Sequence, residues 1–80
     1  MNISLSTAQT ILKAYLRYAP AEGWELSDLY LHWYKKTDGN PVEDFHFKLL
    51  VDAGFFSNEG VGARGTPLYQ VTWQGYMATL

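Results

Sequence analysis

The side chains of this 80-residue chain that could do chemistry near neutral pH are its two histidines, His32 and His46. An imidazole titrates near neutrality and so suits proton transfer or metal ligation. His46 falls on the inner side of a helix that opens near Asn40, where an imidazole bonded to a backbone carbonyl is expected. His32 follows Asp28 by four residues, a surface pair worth about 0.3–0.5 kcal/mol. Neither has a second histidine at ligand spacing, and the chain has no cysteine, so no zinc site is expected. The serines and threonines fall at helix caps, and no Gly-x-Ser-x-Gly occurs. The segment GVGARGTP lacks the Gly-Lys-Ser/Thr ending of a phosphate loop. These residues point to a protein that binds and does not catalyse, with no metal, no cofactor and no small-molecule substrate.

Eighty residues make a single domain, 1–80, which buries only about 60% of the surface its unfolded chain exposes. Thirteen aromatic side chains must therefore carry much of the core. The lack of cysteine fits a reducing, cytoplasmic setting. The start, MNISLSTAQT, is neither basic nor apolar enough for a secretory signal, and no run approaches the roughly 20 apolar residues of a membrane span. A soluble protein with no membrane partner is expected. Six Lys/Arg against eight Asp/Glu give a net charge of −2, which argues against affinity built on neutralising many phosphates.

The elements that hold these residues follow from cap and period signals. Ser6 with Gln9 resembles a capping box, and Ala8, Ile11, Leu12, Tyr15 and Leu16 recur at helical spacing to about Tyr18. Thr10, Lys13 and Arg17 share the polar face of that helix, as a solvated strip or a phosphate-contacting one. Pro20 and Gly23 end it, and Trp24-Glu25-Leu26 can form a short strand. Ser27 is a fair cap for a second helix from about Asp28 to Lys36, with Leu26 and Leu31 as a hydrophobic staple. Leu29, Tyr30 and Trp33 form its inner face, Trp33 at the centre of the core. Thr37-Asp38-Gly39-Asn40 is a turn.

Asn40, Pro41 and Glu43 then open a third helix, which Gly54 closes. Val42, Phe45, His46, Leu49, Leu50 and Ala53 line its core side, and Asp44, Phe47, Lys48 and Val51 the other. Phe55-Phe56 begins a strand, Asn58–Pro67 forms a long mobile tip, and Leu68–Thr72 returns. Thr72 caps a last short helix with Trp73, Tyr76, Met77 and Leu80. Two helices around a glycine-containing turn and then a hairpin give an α+β winged helix-turn-helix: three helices, a β-hairpin wing and a short C-terminal helix.

Two motifs, FHFKLLVDAGFF and LYQVTWQGYMATL, resemble a family of short bacterial and phage winged-helix proteins catalogued as a domain of unknown function. The matching positions are His46, Lys48, Leu49, Leu50, Asp52, Ala53 and Gly54 in the first motif, and Thr72, Trp73 and Gly75 in the second. Tyr76 stands where that family usually has His. The resemblance implies a winged helix with a phage or prophage connection, in the cytoplasm of a bacterial host, and implies no activity.

Two functions fit this scaffold. In the first, the protein is nucleic-acid-associated, a DNA-binding or transcription-regulator-like module. Its third helix would enter the major groove of duplex DNA, with Lys13, Arg17, Lys35, Lys36, Lys48 and Arg64 as contacts. Glu43 and Asp44 at the entry of that helix oppose this, because they would face phosphates. In the second, it is a protein–protein interaction module that binds or inhibits a host complex, as an anti-defence (anti-CRISPR-like) factor would. Tyr34, Asp44, Phe47 and Val51 would form its acidic and aromatic face. Self-association as a homodimer belongs to the same reading; the alternative for Phe47 is packing under the hairpin or against the last helix.

Overall fold

The computed structural model describes residues 3–35 and 41–80, and for Trp33 and Tyr34 the backbone only. The turn 37–40 with its Asn40 cap, Lys36, and the side chains of Trp33 and Tyr34 lie outside the described residues. Element order is α1 (Leu5–Tyr18), β1 (Trp24–Glu25), α2 (Leu26–Tyr34), α3 (Pro41–Asp52), β2 (Phe56–Val61), β3 (Pro67–Val71) and α4 (Trp73–Met77). The strands form one antiparallel sheet in the order β1-β3-β2, with Trp24 opposite Tyr69 and Phe56 opposite Val71. This is a small α+β fold, and among the described residues no helix is long and apolar enough to cross a membrane.

The cap of α1 is Ser4, whose hydroxyl accepts the Thr7 N–H, and not Ser6. Ile11, Leu12, Ala14 and Tyr15 are its buried side, while Leu16 is turned outward. Tyr15 is the centre of the core. Its ring packs edge-on against Trp24 and Phe56, at 5.7 and 4.7 Å between centroids, and stacks on Phe47 at 5.8 Å. Such pairs add about 0.5–1.5 kcal/mol beyond the area they bury. The second helix starts earlier than expected, at Leu26, and Asp28 accepts the Glu25 N–H at 3.1 Å, so Ser27 is not the cap. Leu31 is 38% exposed and forms no staple.

The third helix begins at Pro41 and leaves through Gly54 at φ +84°, a conformation that costs glycine almost nothing. Its buried face is rotated by about one residue, roughly 100°, from the expected one. Val42 is 41% exposed and Ala53 faces water, whereas Phe47, expected outside, is only 4% exposed. Val51, also expected outside, is half-buried against the core. The cause is a second neighbour. The periodic pattern can be set against one surface, but α3 lies against both α1 and the sheet, and Phe47 bridges them, touching Tyr15 of α1, Phe56 of β2 and Tyr69 of β3. The hairpin tip is also shorter than expected, because β2 runs on to Val61 through an irregular pairing near Asn58.

Candidate functional site

Where α2, α3 and β3 meet, the surface sinks into a groove of about 290 Å³. Leu26, Phe47, Pro67 and Tyr69 give it apolar walls, and Ser27, Asp44, Lys48 and Thr66 give it polar edges. Helical spacing places Asp44, Phe47 and Lys48 together, because residues three and four apart stand one above another. Asp44 accepts a hydrogen bond from the Tyr30 hydroxyl. Burial, and then that bond, push the Tyr30 phenol well above its ordinary range. Lys48 is exposed. The Ser27 hydroxyl is buried beside the groove without a hydrogen-bond partner among the described residues, an arrangement that usually costs about 1–3 kcal/mol.

The hairpin wall of the groove is held in place by two carboxylates, Glu25 and Asp28. Glu25, buried at the end of β1, accepts the Arg64 N–H at 2.9 Å, the Thr66 N–H at 3.3 Å and the Thr66 hydroxyl. The Thr66 hydroxyl first, and the Arg64 amide second, hold its carboxyl below the usual range against the opposing effect of burial. Arg64 completes the clasp by donating from Nε to Asp28 at 3.1 Å. Gly62 leaves the room this needs, since a Cβ there would overlap the Glu25 carboxylate. The tip expected to be mobile is thus tied to α2. Sequence reasoning passed over Glu25, although a carboxylate between Trp24 and Leu26 carried a signal: a buried charge needs partners.

The other expected site residues are dispersed. Lys13 and Arg17 stand exposed one turn apart on α1, edging a shallow hollow with Thr10 and Tyr18, and the Arg17 guanidinium lies 5.4 Å from the Tyr18 ring centre. Lys35 closes α2 in the left-handed conformation at φ 60°, and its Nζ donates to the His32 carbonyl at 3.2 Å. Arg64, expected to reach DNA from the hairpin, is engaged with Asp28 through Nε. The His32 ring packs on Tyr18, 4.2 Å between centroids. His46 is buried as expected: Nδ1 donates to the Val42 carbonyl at 2.7 Å, and Nε2 accepts the Ser4 N–H at 2.7 Å. Phe47 and Val51 cannot form the expected open aromatic face, though Phe47 with Asp44 and Lys48 lines the groove. Among the described residues, no three His, Asp or Glu side chains gather as a metal site would require.

Comparison with protein-family models, with curated proteins and with solved structures finds no match for this chain.

Proposed function

We propose that this is a small, non-enzymatic winged helix-turn-helix protein that acts by holding a partner protein in the groove between α3 and the hairpin. The winged-helix reading is supported by the order α1-β1-α2-α3-β2-β3 with β1 beside β3, and by the two motifs that resemble the phage and prophage family. In that setting the partner is a protein of the bacterial host, met in its cytoplasm. A complex that binds nucleic acid in defence or transcription is the kind of target an anti-defence factor would block.

The observation that carries the choice of partner is the chemistry of the groove. Its walls are Leu26, Phe47, Pro67 and Tyr69, and among the described residues Lys48 is the one cation lining it. A phosphate backbone gains nothing from apolar walls, whereas one aromatic or leucine side chain of a partner would bury there, an aromatic removing on the order of 150–250 Å² from water. Asp44 and Lys48 on the edge would orient a polar rim around that anchor. Arg64, the hairpin's cation, is paired through Nε with Asp28.

A photo-crosslinking residue at position 48 tests this in host extract, with one at Asn58 on the edge strand as control. A discrete protein adduct is expected from position 48 and not from Asn58. Adducts from both positions alike would count against the groove.

Duplex DNA is the second reading, favoured by the same element order and by exposed Lys13, Arg17 and Lys48. Those cations stand on two helices and line separate hollows.

A further inference from the structure

The last helix faces the wrong way for a helix that serves only its own core. Trp73, Tyr76, Met77 and Leu80 recur at the three-and-four spacing of an apolar stripe. That stripe points to water: Trp73 is 74% exposed, Leu80 80%, and Tyr76 and Met77 40% and 48%. The helical turn continues beyond α4, with Thr79 N–H donating to the Tyr76 carbonyl at 3.0 Å and Leu80 N–H to Met77 at 3.3 Å. The stripe is therefore continuous, and the Trp73 and Tyr76 rings lie 5.3 Å apart within it.

The other side of the helix fixes this orientation. Gly75 is buried, and a Cβ there would overlap the Phe55 carbonyl. Thr72 caps the helix by accepting the Gly75 N–H at 3.1 Å, while its hydroxyl donates to the Gly54 carbonyl at 2.7 Å. The Gln74 amide donates to the Ala53 carbonyl at 3.1 Å. These bonds run to the end of α3 and the start of β2, so α4 cannot roll to cover its stripe without breaking them.

We propose that the α4 stripe is a symmetric self-association surface, on which a second copy of this chain packs its own α4. Charge selects that occupant. From Gly65 to Leu80 the chain has no charged side chain, so its net charge of −2 lies elsewhere. In a two-fold interface each side chain near the axis approaches its own copy, and any charge there would meet a like charge. A neutral aromatic and thioether stripe meets none, and it offers no counter-charge to nucleic acid or to a strongly charged protein.

Area sets the class of contact. The four side chains expose on the order of 500 Å² per copy, against about 800 Å² per partner in a standard interface. Two copies together reach the lower bound of a specific contact, where transient complexes fall, so association is to be sought at micromolar to millimolar concentration. The surface is distinct from the α3 groove, and it stands or falls independently of what that groove binds.

Sedimentation equilibrium of the full chain over that concentration range, on the wild type, Trp73→Glu, Trp73→Lys and an equal mixture of the two variants, tests the proposal. The wild-type mass should rise from one chain to two. Each charged variant should need at least about tenfold more protein to associate, and the mixture should recover most of the loss, because opposite charges then face across the axis. Circular dichroism should show each variant folded, as expected for a side chain so exposed, and Met77→Glu should repeat the loss. A wild type that stays at one chain's mass to millimolar concentration overturns the proposal, as does association that Trp73→Glu leaves unchanged. A mixture no better than its components removes the two-fold geometry.

Discussion

A single carboxylate connects three parts of the molecule. Glu25 ends β1, precedes α2 and takes three donors from the hairpin tip, so its charge decides whether the groove keeps its hairpin wall. Its folded-state pKa lies below its ordinary value. Its contribution to stability is therefore complete above the unfolded carboxylate range and is lost as pH falls through the folded pKa. Urea midpoints measured from about pH 7 down to about pH 3 should fall more steeply for the wild type than for Glu25→Gln. Glu25→Gln should already be the less stable at neutral pH. Equal pH slopes would show that the clasp does not hold in solution. Glu25's role escaped the sequence because its partners stand 39 and 41 residues away and two of its three bonds are to backbone amides. His46 was readable because helical spacing alone sets it inward, and its Val42 carbonyl partner lies one turn back.

Among the elements, α3 and α4 follow from local signals, since Pro41 opens α3, Gly54 closes it and Thr72 caps α4, whereas α1 and α2 start from Ser4 and Glu25 and not from the expected caps. The orientation of α3 does not. Phe45 and Phe47 offer two apolar arcs of similar strength, and only the sheet on the flank decides that Phe47 goes in. The placement of α4 depends likewise on a close approach that sequence does not display, between Gly75 and the Phe55 carbonyl. That carbonyl also accepts the Thr72 N–H at 3.0 Å, so it is not free to yield. Alanine is the better helix former by about 1 kcal/mol, but overpacking against fixed backbone costs about 1–3 kcal/mol. Gly75→Ala should therefore lower stability in chemical denaturation, and a gain would show that α4 moves away without penalty.

At the scale of the whole molecule, the described residues present an apolar groove with Lys48 at its edge, a cationic strip at Lys13 and Arg17, and a neutral apolar stripe on α4. The element order was readable from cap and turn residues. The separation of the surfaces was not, since it depends on how α1 and α3 pack, which brings Phe47 against Tyr15 and leaves the cations apart. That separation is what favours a protein partner over phosphates, because each phosphate contact contributes a slope of about −0.9 to the dependence of affinity on salt. Titration of labelled duplex DNA at low and moderate salt addresses this choice most directly. A partner protein in the groove implies weak duplex binding at low salt, with a slope no steeper than about −1 and unchanged by Lys13→Glu with Arg17→Glu. Tight binding with a slope near −3 or steeper, lost in that double variant, would contradict it and make the protein a DNA binder.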